Sequence, residues 1–312
     1  MKRCGSWLCA RRRKQREKSK FHSDEVYIDS RLPSPQNRVT LNLYKKYTPM
    51  DTPTQSTPVD LRFARLRKFN LVMFVLHTVQ GIVMLVLSTD FALPVTTSFL
   101  KYNVQLGQLA PVTKTAFELP IGLLVALFLF ISGLAHLLIS LPRVNDWYNR
   151  NLAKGMNLAR WMEYAVSSSL MIVVVCLLVG MYDAISLLLV FFLNAMMILF
   201  GWMMEAHNQT TQKTNWTSFI FGSIAGAIPW VGVALYLFLS GEGDYRAPIF
   251  VYWIFFSIFL FFNTFAVNMV LQYKKVGKWQ DYLYGERAYI ILSLVAKSLL
   301  AWQVFAGTLR PV

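Results

Sequence analysis

The sequence predicts an all-α membrane protein: a seven-transmembrane-helix bundle with a cytoplasmic N-terminus and an extracellular C-terminus. Three observations carry this. The 312 residues are 55% hydrophobic and 15% charged, with a mean hydropathy of +0.42, whereas a soluble domain carries about 25% charged residues. Seven apolar runs, at 69–89, 119–141, 159–182, 184–204, 218–240, 249–272 and 288–309, each hold 21–24 residues. About 20 are needed to cross the hydrocarbon core, and soluble core helices are usually shorter and keep a polar stripe. Lastly, the alternate loops divide Lys and Arg unequally, 26 on one side and 4 on the other. Positive residues collect on the cytoplasmic side, so the side bearing the N-terminus is expected to be inside.

Residues 1–66 read as a basic, largely disordered cytoplasmic tail, and 67–312 as the membrane domain. The net charge is +15, and residues 1–68 hold 17 Lys/Arg against 6 Asp/Glu. The run RRRKQREKSK is followed by the Pro- and Thr-rich stretch Thr48–Pro58, a composition that buries too little apolar surface to fold. A membrane body already accounts for such a basic flank, so no nucleic-acid partner is expected. The first 60 residues hold no apolar run of signal-peptide length. Cys4, Cys9 and Cys176 are too few for a disulfide framework; Cys176 reads as a small core residue and Cys4 and Cys9 as possible acylation sites.

The first span runs into the longest loop, 90–118, on the outer face. There Val95–Tyr102 and Val104–Leu109 flank Asn103 and suggest a short hairpin. The loops 142–160 and 274–287 each carry four Lys/Arg and belong inside. The sequons Asn208-Gln-Thr210 and Asn215-Trp-Thr217 then lie in a cytosolic loop and stay unglycosylated.

Ionisable groups deep in hydrocarbon are costly and usually functional. Lys297 is the sharpest case. It lies 11 residues after Glu286 and 13 before Arg310, roughly 15–20 Å from either helix end at 1.5 Å per residue. That distance is too long for snorkelling. Leu294, Val295, Ala296, Leu299, Leu300 and Ala301 surround it in sequence, with no carboxylate on the same helix. A buried lysine suits Schiff-base chemistry with an aldehyde, and a charged imine then requires a counter-ion. Glu163 is the one carboxylate read as deep; Asp90, Glu118, Asp183, Glu205 and Glu286 fall at span ends. The plainer reading of Glu163 pairs it with Arg160, one turn back. Helical spacing stacks Ser293 below Lys297, Ser167 above Glu163, Ser132 with His136, and His77 with Gln80. The two histidines suggest a polar cluster, against the plain reading of satisfied core residues. Trp161, Tyr164, Met197, Trp202, Trp230, Trp253 and Trp302 could wall a long conjugated ligand, although packing explains most of them equally well.

Two strings, Arg160-Trp-Met-Glu163-Tyr164 with Ser167-Ser-Ser169, and Ser293-Leu-Val-Ala-Lys297-Ser-Leu-Leu-Ala-Trp302, together with the inside N-terminus, resemble the heliorhodopsins over roughly residues 66–309. Ordinary microbial rhodopsins and G-protein-coupled receptors are oriented the opposite way. The resemblance implies a rhodopsin-like bundle with all-trans-retinal on Lys297 and Glu163 as counter-ion. It implies that Ser132 and Ser293 hydrogen-bond near that counter-ion, and that His77 and His136 belong to a polar, water-holding cavity. Asn194 falls where the family has a polar residue, and Tyr164 and Ser167 fall beside the counter-ion. It also implies a homodimer with a strand-containing first outer loop. The long tail has no counterpart in this resemblance.

The function expected is light sensing, with a cytosolic signalling partner and the lipid bilayer as surroundings. A proton pump would need carboxylates on both sides of the imine, and only Glu163 is read as available. Passive light-gated proton conduction needs only a hydrated path and stays open as the alternative. A secondary transporter usually shows internal repeats; none is visible, and Gly226–Pro229 is a single interruption. No phosphate loop, metal cluster or nucleophile–base pair suggests an enzyme.

Overall fold

The computed structural model describes residues 58–239 and 246–309. Most of the expected tail, including Cys4, Cys9 and Thr48–Ser56, lies outside the described residues, as does Arg310. The described chain contains seven helices long and apolar enough to cross a membrane, Leu61–Leu87, Ile121–Ser140, Leu158–Leu178, Ala184–His207, Thr217–Leu239, Ile249–Tyr273 and Tyr282–Leu309. They fall on the seven apolar runs.

In chain order the elements are α1 (Pro58–Leu87), β1 (Ala92–Asn103), β2 (Gln108–Pro120), α2 (Ile121–Ser140), α3 (Pro142–Ala153), α4 (Leu158–Leu178), α5 (Ala184–His207), α6 (Thr217–Leu239), α7 (Ile249–Tyr273) and α8 (Tyr282–Val304). A single 3-10 turn, Gly277–Gln280, precedes α8, and a wider π turn, Phe305–Leu309, ends it. Among these, α1 packs along α2, α4 lies against α2 and α5, α5 against α6, and α7 against α8.

Three expectations are corrected. Helix α1 starts at Pro58, so 58–66 is helix rather than tail. Proline is favoured in a first helical turn, and Leu66 is buried against Tyr148 and Leu152. The second hairpin strand is Gln108–Pro120, longer and later than Val104–Leu109, which mostly forms the turn. Asn103 explains this: its Oδ1 accepts from Gln105 N and Leu106 N and closes the turn. Part of the 142–160 loop is the amphipathic helix α3, with Pro142 in its first turn.

Glycines set two sharp exits. Gly155 (φ +73°) follows α3 and Gly180 (φ +96°) follows α4, a left-handed geometry that β-carbon sterics disfavour. After each, the next backbone N–H reaches back to the helix, Met156 to Asn151 and Met181 to Cys176, which satisfies orphan carbonyls. Helix α5 then begins with Asp183, whose carboxylate accepts from Ser186 N and Ser186 Oγ. The Ser186 backbone bond holds that carboxyl below its ordinary range.

The hairpin has two parts. Near the bundle Val95 is buried, and Thr96 N donates to Tyr182 O. Farther out Phe99, Leu100, Tyr102 and Leu109 are exposed among the described residues.

Candidate functional site

Lys297 lies in the middle of α8, 3% exposed. Its Nζ donates to Glu163 Oε1 at 2.8 Å and to Ser293 Oγ at 2.8 Å. The same Glu163 oxygen accepts from Ser132 Oγ at 2.6 Å. Three helices therefore meet at one carboxylate: α8 brings the amine, α4 the acid and α2 a hydroxyl. Ser293 precedes Lys297 by four residues, so one helix face supplies both groups. Tyr164 turns its ring toward the amine, with the centroid 5.0 Å from Nζ, where the ring quadrupole favours positive charge.

Beside this pair the rings of His77 and His136 stack with centroids 5.6 Å apart. His136 Nδ1 pairs with Asn70 Oδ1 at 2.9 Å. Both His77 nitrogens, Asn70 Nδ2 and Ser167 Oγ are buried without a hydrogen-bond partner among the described residues. Buried polar groups are normally satisfied, often by ordered water, so this cluster is suited to hold water. Asn70 is one of its members that the sequence reading missed. Gln80, expected beside His77, instead bonds Leu76 O at the surface.

Asn194 is buried but does not reach Lys297. Its amide donates to Ser168 Oγ at 2.8 Å and Ser169 Oγ at 3.1 Å, bracing α4 against α5.

Lys297 lines a largely apolar cavity of about 290 Å³. Its walls include Tyr164, Met171, Met197, Trp230, Phe262 and Tyr289. Trp230 makes edge contacts with Phe255, Phe259 and Phe262. Glycines keep the space open. A β-carbon at Gly201 would run into the Trp161 ring, and one at Gly226 into the Met197 side chain. Of the aromatics expected as walls, Trp161, Tyr164 and Trp230 line the cavity. Trp202, Trp253 and Trp302 are 36%, 66% and 42% exposed and face outward.

A second polar cluster went unread in the sequence. Arg160 does not pair with Glu163. It bonds Glu205 on α5 through Nη2 at 2.5 Å and Glu286 on α8 through Nη1. Glu205 also accepts from Trp161 Nε1 at 2.6 Å, Asn157 N at 2.9 Å and Tyr282 hydroxyl at 3.1 Å. Asn157 Nδ2 donates to Glu286 at 2.6 Å, and the Arg160 guanidinium lies over the Tyr289 ring. Glu205 and Glu286 are 2% and 0% exposed, although both were placed at span ends. The signal was present but weak: α8 starts at Tyr282, which brings Glu286 a full turn inside.

A family profile for heliorhodopsins matches residues 66–309. The chain belongs to the heliorhodopsin family. It is accordingly a multi-pass membrane protein of the retinal photoreceptor kind. The heliorhodopsin chain is also similar in fold to a solved light-driven proton pump from Leptosphaeria maculans. That likeness has a TM-score of 0.52 and 15% identity, covering 77% of this chain and 94% of the pump. No curated protein matches the chain.

The heliorhodopsin cavity fits a retinal chromophore by its own chemistry. One primary amine lines an apolar, aromatic-walled space, with one carboxylate in contact and small residues where the walls approach. Lys297 would hold the aldehyde carbon covalently and Glu163 would face the charge.

Proposed function

We propose that this chain is a light sensor carrying all-trans-retinal on Lys297, with Glu163 as the counter-ion. The observation that carries the reading is the 2.8 Å contact between Lys297 Nζ and Glu163 Oε1, with Lys297 lining an apolar cavity. Bound retinal supplies light absorption and isomerisation. Glu163 stabilises positive charge on the Lys297 nitrogen in a low-dielectric site. Ser132 and Ser293 hold the acid and the amine in register. Tyr164 shields the amine, and Ser167 has a free hydroxyl one turn beyond Glu163. His77 and His136 are placed to receive a proton leaving the Lys297 nitrogen, through water on the unpartnered nitrogens of His77. Asn194 holds the α4 wall.

The cytoplasmic N-terminus, the cytosolic signalling partner and a homodimer paired through the exposed part of the hairpin belong to the same proposal, as does the absence of enzymatic activity. Light-gated proton conduction is the second reading, favoured by the unpartnered polar atoms around His77.

Adding all-trans-retinal to the expressed protein tests the core of this. A visible-absorbing pigment should form, and borohydride reduction with mass spectrometry should place the adduct on Lys297. A label on any other residue, or colour persisting in Lys297→Ala, ends the proposal. Voltage clamp under illumination separates the two readings: a sensor gives no sustained photocurrent.

A further inference from the structure

A groove of about 670 Å³ lies between the N-terminal turns of α1 and helix α3. Arg67 and Lys68 edge it from α1 and Arg150 from α3. Arg67 is fixed: its Nε donates to Ser140 O, the last residue of α2, at 2.8 Å. The bond holds Arg67 where α2 ends and α3 begins. Lys68 and Arg150 form no ion pair among the described residues, whereas nearby Arg62 is taken by Asp281. Asp146, the carboxylate of α3, is exposed and does not line the groove.

Apolar side chains flank the cations of α1 on both sides. Phe63 and Leu71 form part of the groove wall. Leu71 continues into a stripe of exposed apolar residues down α1, Val72, Val75, Val79 and Ile82, each about half exposed. Positive charge beside an apolar track matches an amphiphile; a free anion has no use for the track. Trp147, 37% exposed on α3, suits the membrane interface. Asn149 Oδ1 is buried at the groove without a donor, so a head group bearing a hydroxyl satisfies it where choline does not.

We infer that this groove binds the phosphate and hydroxylated head group of an anionic phospholipid, with its acyl chain lying along α1. The inference is independent of the retinal reading. It requires only that the junction of α1, α2 and α3 meets a membrane surface.

The test uses the full chain, purified and loaded with retinal, in lipid nanodiscs. Native mass spectrometry should show retained phosphatidylglycerol in preference to phosphatidylcholine. The double variant Lys68→Gln/Arg150→Gln, which leaves the Arg67–Ser140 bond in place, should weaken phosphatidylglycerol binding roughly 30-fold with an unchanged visible spectrum. A photo-cross-linkable phosphatidylglycerol should label segments 63–71 and 145–153. Equal retention of the two lipids overturns the inference, as does an unaffected variant or labelling confined to residues 1–57. Displacement by inorganic phosphate at millimolar concentration overturns the lipid assignment and leaves a free-anion site.

Discussion

Replacing Glu163 with glutamine keeps the shape of the site and removes one charge. Glu163 Oε1 is 2.8 Å from Lys297 Nζ, and both side chains are at most 9% exposed. Taking the charge centres as about 4 Å apart at an effective dielectric near 20, the attraction is about 4 kcal/mol. At about 1.4 kcal/mol per pH unit, that equals roughly 3 units. The sign follows from which form Glu163 favours. The carboxylate stabilises the protonated, positively charged Lys297 nitrogen, so its removal lets the proton leave at lower pH. In the retinal-loaded Glu163→Gln variant, the pH at which the visible band bleaches should fall by about 3 units. Spectrophotometric titration of wild type and variant side by side reads this directly. Ser132 Oγ and Ser293 Oγ remain within reach, so a shift somewhat under the full value fits the same physics. An unchanged bleaching midpoint together with an unchanged absorption maximum refutes the counter-ion assignment.

Arg160→Gln leaves Glu205 and Glu286 facing each other without their cation; losing one partner of a buried ion pair costs about 3–5 kcal/mol, and the thermal midpoint should fall by roughly 10 °C. Adding Glu286→Gln to that variant should recover part of the loss, and no recovery argues against the ionic origin. Gly201→Val drives a side chain into Trp161 and should cut retinal affinity roughly tenfold through overpacking, read by titrating the apoprotein with retinal. Asn208 and Asn215 should carry no glycan when the protein is made in a eukaryotic host; a mass shift removable by endoglycosidase at either one reverses the proposed orientation.

The spans and the amine–acid pair were legible for the same reason: both rest on one-dimensional rules. Hydrocarbon thickness fixes run length, and an unaccompanied Lys297 in an apolar stretch is conspicuous by cost alone. Ser293 was found because a helix has a fixed period. Asn70 and the Arg160 cluster needed distance information that no period supplies. Asn70 sits 66 residues from His136, and Arg160 sits 126 residues from Glu286. The local rule even pointed the wrong way, since Glu163 is nearer to Arg160 in sequence. The pairs instead form across helices, Glu163 with Lys297 of α8 and Arg160 with Glu205 of α5 and Glu286 of α8. The misplaced second strand has a local cause: Val104 and Leu106 read as strand by composition, but Asn103 closes a turn there.

The burial of Glu205 and Glu286 reopens the case for pumping, since buried carboxylates beyond Glu163 now exist, although the start of α4, the end of α5 and the start of α8 put all three toward one membrane face. Their partners argue the other way. Glu205 is held by Arg160, Trp161, Asn157 and Tyr282, and Glu286 by Arg160 and Asn157. Placing a passing proton on either breaks a buried ion pair, at a cost of several kcal/mol, before transport begins. A network closed in this way works better as a joint than as a relay. It fastens α4, α5 and α8 at one point, and Trp161 belongs to both it and the cavity wall. A change of shape in the cavity therefore pulls on the Trp161–Glu205 bond and on the three helices behind it. This supports sensing, and it makes a distinct demand. Trp161→Phe keeps the wall but drops the bond to Glu205, so pigment should still form while light-induced helix displacement, followed by paired spin labels on α5 and α8, diminishes. An undiminished displacement in that variant would show that the joint carries no signal.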